Sequence, residues 1–280
     1  RIICYSSTYI SFLDALNEVE KIKGVTFSEG IYNAKVKEQL VTDSTFDIGN
    51  EQEPSKEFIL NLKPNLALIY PSNGSHDWYS SFKIPTITNV EYLEIHPLAQ
   101  AEWIKLYGVL FDKEALADSI FKDIETNYNE TKFTSNNESK RPTVLCGELF
   151  DNTWTLPGGK SNTSQLIADA GGKYFLENDS TSGSKKLDFE VILKSDSAID
   201  YWMLLSSNYQ KITHNYLSQN KPRYNYLNVM KTKQISVCNS AKTPYFEEGI
   251  LEPHILLKEI KNTLHFPENK DYVKYFKPIN

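Results

Sequence analysis

Apolar and polar positions along this chain fall into two recurring periods, and the longer helical one sits near the middle. Between Pro97 and about Phe133, Leu116, Ile120, Ile124 and Tyr128 recur every four residues with Ala117 and Phe121 beside them. Lys113, Glu114, Asp118, Lys122, Asp123 and Glu125 fill the remaining positions. One apolar stripe on a charged helix follows, with Asp112 placed to cap its start. About twenty residues at about 1.5 Å each make a rod of roughly 30 Å, enough to span two lobes.

Short apolar runs and amphipathic runs alternate on both sides of that rod. Before it, RIIC, IKGV, LALIY and IPTIT read as strands. The segment after RIIC reads as a helix with Ile10, Leu13 and Leu16 on one face, capped by Ser6, Ser7 or Thr8. IYNAKVKEQL is helical, Pro54 stands near a further helix start, and Lys63-Pro64 ends that helix. After the rod, SNNESK is loop-like and the alternation restarts. RPTVLCGEL and KQISVCNS are strands, and GGKSNTSQLIADAGG is a glycine turn opening a helix. DFEVILKSDSAIDYWMLLS is helix then strand, and PHILLKEIKNTLHF is an amphipathic helix with Ile255, Leu256, Ile260 and Leu264 inward.

Such alternation implies mostly parallel sheets covered on both faces. The expected fold is α/β: two Rossmann-like lobes, 1–97 and 136–280, joined by one long rigid helix within 98–135, with a ligand cleft between them. A weak internal repeat agrees. Glu57-Phe58-Ile59-Leu60 leads into LALIY as Glu190-Val191-Ile192-Leu193 leads into AIDYWMLL, and Arg1-Ile2-Ile3-Cys4 opens one half as Arg141-Pro142-Thr143-Val144-Leu145-Cys146 opens the other.

Composition narrows the partner. A net charge of −6 with no Lys or Arg block argues against nucleic acid, which needs a basic face. Seventeen Tyr, 14 Phe and 4 Trp suit both a core and a large flat ligand. Cys4, Cys146 and Cys238 lie far apart in strand-like runs, as packing residues rather than a disulfide or zinc set. No apolar run reaches the length of a membrane span and no signal peptide is present; opening on a strand at Arg1 suggests that a leader and tether preceded it.

Enzyme motifs fail on spacing. PGGKSNTS lacks the glycine that a phosphate loop requires five residues before Gly159, and neither G-x-S-x-G nor H-E-x-x-H occurs. His76, His96, His214, His254 and His265 are never paired at helical spacing, so a metal site requires three of them to converge in space. In an α/β lobe the loops after the strands form the binding edge. Here these are Ser7 to Tyr9, Asn50 and Glu51, Tyr70 to Trp78, Glu91 and Tyr92, Phe150 to Trp154, Ser206 to Tyr209, and Lys242 to Tyr245. Tyr9, Tyr70, Trp78, Tyr92, Trp154 and Tyr245 are the candidate ligand-facing rings, each equally suited to packing beside a cleft.

The chain resembles the class III periplasmic substrate-binding proteins, the iron-complex and vitamin B12 receptors of ABC importers. The resemblance rests on RIICYSS, DALNEVEKIKGV, IGN followed by EFILNLKPNLALIY, IPTI, HPLAQAEWIKLYG, KSNTSQLIADAGGKYF and DFEVILKSDSAIDYW, which span nearly the whole chain. It implies a bacterial, extracytoplasmic monomer, periplasmic or tethered as a lipoprotein. Such a protein has no catalytic residue and no intrinsic cofactor; it carries a ferric siderophore, haem or cobalamin to an ABC importer permease. It further implies that Glu57 and Glu190, one per lobe, dock on permease arginines, and that Tyr70 lies against the ligand. The tryptophan expected just before Glu190 is missing, and Lys185 and Lys186 stand there instead, as surface charge or as partners for an anionic chelate. A zinc or manganese receptor of similar build and a chelatase-like enzyme of the same architecture are the alternatives.

Overall fold

The computed structural model describes residues 1–26, 28–50, 53–71, 77–134, 141–266 and 273–279. The stretch SNNESK, Glu51, Gln52 and His76 lie outside the described residues. Two compact units emerge. The first comprises Arg1–Tyr92, Gln100–Asp123 and Phe246–Leu251; the second comprises Leu93–Ala99, Ile124–Tyr245 and Glu252–Asn280.

The first unit carries β1 (Ile2–Cys4), α1 (Ser7–Ala15), β2 (Ile22–Val25), α2 (Ala34–Val41), β3 (Phe46–Asp47), α3 (Lys56–Leu62), β4 (Leu66–Ile69), α4 (Trp78–Ser81) and β5 (Thr86–Thr88). Its sheet is all parallel, in the order β3-β2-β1-β4-β5, with Ile2 opposite Leu66 and Cys4 opposite Leu68. Because helices cover both faces, β1 reads as an unbroken buried run. Local chemistry sets the helix ends. Ser6 Oγ accepts the Thr8 N–H at 3.3 Å, Asn33 Oδ1 accepts the Val36 N–H at 3.1 Å, and Lys63, left-handed at φ 49°, stops α3.

The middle segment opens with two short helices, α5 (Pro97–Glu102) and α6 (Ile104–Leu110), ahead of the long helix that the periodicity predicts, α7 (Glu114–Thr131). Asp112 is not the cap. It occupies the left-handed turn between α6 and α7 at φ 54°, while the Ala117 N–H donates to Lys113 O, which puts Lys113 at the cap position. The buried stripe is Ala117, Phe121, Ile124 and Tyr128, whereas Leu116 is exposed. Gly108 explains the rotation: a Cβ there would lie 2.7 Å from the Ala117 Cβ, so α6 closes on the small residue and turns Leu116 outward. Residues 114–123 of α7 belong to the first unit and 124–131 to the second, so the helix runs from one unit into the other.

The second unit carries β6 (Thr143–Cys146), β7 (Glu148–Phe150), β8 (Thr153–Pro157), α8 (Asn162–Asp169), β9 (Lys173–Tyr174), β10 (Ser184–Asp188), α9 (Phe189–Lys194) and β11 (Tyr201–Ser206). It continues through α10 (His214–Asn220), α11 (Asn228–Thr232), β12 (Ile235–Asn239), α12 (Tyr245–Glu248, shared with the first unit), α13 (Pro253–His265) and β13 (Lys277–Pro278). Its main sheet runs β13-β12-β11-β6-β9, parallel except for β13. Alternate residues feed two cores. Leu145, Trp202, Leu204 and Val237 enter one, and Val144, Cys146, Met203 and Cys238 enter the other.

The internal repeat corresponds to equivalent topology. β1 lies between β2 and β4 as β6 lies between β9 and β11, and β5 extends β4 as β12 extends β11. Ile59 and Ile192, two residues after Glu57 and Glu190, are both fully buried. A small antiparallel sheet, β10-β8-β7, had no counterpart in the sequence reading. The three cysteines are free and buried in β1, β6 and β12, and burial pushes the Cys146 and Cys238 thiols up to about 12.

Candidate functional site

At the carboxyl end of the first unit's sheet, β1 delivers Tyr5, β4 delivers Tyr70 and β5 delivers Asn89. Tyr5 is fully buried, and its hydroxyl accepts a hydrogen bond from the Tyr79 hydroxyl at 3.1 Å. Its ring meets Tyr70 and Tyr79 edge-on, each at 6.3 Å. Tyr70 is half-buried on this base, so its ring is held by neighbours while part of it stays accessible. Beneath them the Tyr107 hydroxyl donates to Asn89 Oδ1 at 2.9 Å, and the Asn89 amide donates to Ile69 O at 3.3 Å, tying the ends of β4 and β5 together.

Trp78 opens α4 and stacks on Tyr79 at 4.0 Å, with the Lys56 ammonium 5.7 Å from its ring. Its indole nitrogen is buried and without a hydrogen-bond partner among the described residues. A cavity of about 410 Å³ lies here, lined by Tyr70, Asp77, Tyr79, Ser80, Thr86 and Thr88 among others. Tyr92 is 55% exposed in the short turn after β5. Glu91 beside it is 5% exposed; its Oε2 has no partner among the described residues, and burial raises its carboxyl above the usual range.

Two expected ligand rings are core residues instead. Tyr9 is 1% exposed, with its hydroxyl toward Ile69 O at 3.4 Å. Trp154 is fully buried in β8, not in a loop: Asp151, left-handed at φ 52°, closes a β7–β8 hairpin whose inward positions are Trp154 and Leu156. Trp154 packs against Trp202 at 5.4 Å and Tyr224 at 5.6 Å. The exposed ring of that hairpin is Phe150. Tyr245 is half-buried and packs edge-on against Tyr275 and Phe276 at 5.9 and 6.0 Å, which makes it chiefly a packing ring.

Sequence reasoning missed the groups that fix the second unit's carboxyl end. The Trp154 indole donates to Cys146 O and the Trp202 indole to Gly147 O, both at 2.8 Å, so two consecutive carbonyls after β6 are pinned from below. Gly147 sits at φ +80°, and a Cβ there would come within 1.9 Å of Thr155 O. Asn239 donates to Asn208 O at 2.6 Å, and Asn208 donates to the Tyr216 hydroxyl at 2.5 Å, which braces the loop presenting the exposed Tyr209. Nothing in hydropathy periodicity marks such polar braces. Lys185 binds Asp179, which also accepts from the Thr181 hydroxyl, so that lysine is already engaged.

Glu57 and Glu190 occupy the second position of α3 and α9, both exposed. Glu190 pairs with Arg223 at 2.8 Å. The described histidines have separate partners: His96 faces Asp169 at 3.9 Å, His214 faces Met230 O and His265 stacks on Phe133, while His254 lies at the opposite end of α13 from His265. Among the described residues no group of three or more His, Cys, Asp or Glu could hold a metal ion, and no helix is long and apolar enough to cross a membrane.

Each unit carries a mainly parallel sheet, with Tyr70, Trp78 and Tyr92 presented by the first unit and the exposed Phe150 and Tyr209 by the second. The chain belongs to the periplasmic binding protein family, whose sequence model matches residues 2–241. It is 23% identical over 281 residues to an uncharacterized lipoprotein of Methanocaldococcus jannaschii, covering 95% of this chain and 65% of that relative's length. Among solved structures, it is similar to a periplasmic heme binding protein of Vibrio cholerae (TM-score 0.74, 14% identity, 95% of this chain and 98% of the other). It is also similar to an ABC-type Fe3+-hydroxamate transport protein of Saccharomonospora viridis (TM-score 0.72, 18% identity, 95% and 93%). At these identities the likeness is one of fold. Members of this family are substrate-binding proteins of transport systems rather than enzymes.

Proposed function

We propose that this chain is the extracytoplasmic receptor of an ABC importer, capturing a ferric siderophore, haem or cobalamin and presenting it to the membrane permease. The family match over residues 2–241 carries this reading, and the rims of Tyr70, Trp78 and Tyr92 on one unit and Phe150 and Tyr209 on the other supply the aromatic surface such a ligand needs. The ligand buries its flat or apolar faces against these rings, without bond making or breaking. Membrane tethering accords with a relative named as a lipoprotein. Glu57 and Glu190 dock the loaded receptor by pairing with permease arginines, which sets orientation and encounter rate more than affinity. The test is uptake. Membrane vesicles bearing the cognate permease should accumulate labelled chelate only when this protein is present, and accumulation without it would refute the assignment.

A further inference from the structure

A cavity of about 660 Å³ lies wholly within the second unit, at the amino ends of β11 and β12, where Tyr201 and Ile235 open the two strands. The loop carrying Tyr209 leaves the opposite end of β11. One wall is α13, whose positions divide between two faces. Leu256, Ile260 and Leu264 join the core that holds Met203 and Cys238. Ile255, Lys258, Glu259, Asn262, Thr263 and Phe266 lie along the neighbouring face and line the cavity. Alternation along β12 puts Ser236 on the Cys238 face, toward that helix. Ser236 is 2% exposed and lines the cavity, and so small a side chain between sheet and helix leaves space that a larger one would fill.

The lining suits a molecule with one apolar and one anionic end. Ile235, Ile255, Phe266, Val273 and Pro278 supply apolar walls. The charged side chains lining it, among the described residues, are Lys233, Lys258 and Glu259. Glu259 is turned to structural use: its carboxyl oxygens accept the N–H groups of Lys274, Tyr275 and Phe276 at 2.6, 3.1 and 3.1 Å, and burial raises it above the usual carboxyl range. Lys233 and Lys258 are exposed, so each lays an apolar stem on the cavity while its ammonium stays in water. Gln234 and Asn262 add amide donors.

We propose that this cavity is a binding site for an amphiphilic anion, an alkyl chain ending in a carboxylate or phosphate, separate from the rims that carry Tyr70 and Tyr209. The chain lies on the apolar walls, and the head meets Lys233, Lys258 and the two amides. Its volume falls in the range of about 300–1,000 Å³ typical of small-molecule sites. A cationic head on the same chain faces two like charges and is disfavoured. The site stands independently of the receptor reading, since none of the rim residues lines it.

Isothermal titration calorimetry of the purified chain tests this with dodecanoate, dodecyl phosphate and dodecyltrimethylammonium, each below its micelle concentration. One equivalent of an anionic probe should bind with a Kd below about 0.1 mM, and the cation at least about ten-fold more weakly. The tighter of the two anions names the head group. Lys233→Glu and Lys258→Glu should each weaken the anion by about three-fold or more. Thr263→Trp, at a half-buried helix position, should fill the cavity and abolish binding. At about ten times Kd the anion should raise the Tm of the parent by a few degrees and that of Thr263→Trp not at all. If Thr263→Trp loses its circular dichroism signal, the charge reversals at the two exposed lysines decide the matter. Binding of neither anion, equal binding of the cation, or anion binding unmoved by the charge reversals would overturn the proposal.

Discussion

Arg223 Nη2 lies 2.8 Å from Glu190 Oε1 on the surface of the second unit, and the same guanidinium packs over the Phe189 ring at 4.5 Å and bonds Asn152. The proposed docking carboxylate therefore already has a partner, which a permease arginine must join or displace. An exposed pair of this kind contributes little to stability. Arg223→Ala should change folding stability by less than about 1 kcal/mol in chemical denaturation and leave uptake within about two-fold. Glu57→Arg and Glu190→Arg should each lower uptake by about ten-fold or more while ligand affinity stays within about two-fold, because a like charge then faces the permease arginines. Wild-type uptake by both variants would end the docking role.

Trp154 belongs to the core and should behave so. Trp154→Phe removes the donor to Cys146 O and leaves a buried carbonyl unpaired, at a cost of about 2 to 4 kcal/mol including the smaller ring's lost packing. Urea denaturation should show this loss with ligand affinity little changed. A variant of normal stability that had lost its ligand would return Trp154 to the rim.

Gly147 meets two separate barriers to a side chain: a left-handed backbone and Thr155 O at 1.9 Å from an added Cβ. Gly147→Ala should destabilise the chain by about 2 to 4 kcal/mol, read as a lowered Tm. An unchanged Tm would mean that the β7–β8 hairpin is not closed over this residue.

Glu247 gives stability a pH dependence. It is 3% exposed in the first unit and accepts the Tyr32 N–H at 2.9 Å; burial nevertheless raises its carboxyl to about 7, with Glu248 adding and Lys37 opposing. Between about 4.5 and about 7 the folded chain holds a proton that the unfolded chain has released, so this group's contribution falls as pH rises through that window. Glu247→Gln should raise Tm relative to the parent at pH 8, and the two should converge near pH 4.5. A larger gain at the acidic end would reverse the assignment of cause.

Much of the fold was legible because hydrophobic periodicity reports burial directly. β1, β4, β11 and β12 are runs buried on both faces, and the matched segments at Glu57 and Glu190 lie in equivalent helices of two like sheets. What stayed illegible depends on contacts distant in sequence. The face of α7 that turns inward is decided by Gly108 against Ala117, and Asp112 serves a turn because α6 ends just before it. Spacing alone could not tell Trp154 from Phe150, since adjacent hairpin positions differ only in which side of the sheet they take. The braces from Trp202, Asn208 and Asn239 leave no periodic trace at all.

Native mass spectrometry of the purified chain with ferrichrome, haemin and cyanocobalamin tests the central claim most directly. The account predicts a one-to-one complex with a metal chelate that survives desolvation and disappears on dilution against unlabelled competitor. A protein that retained none of the three at micromolar concentration, while folded by circular dichroism, would contradict it.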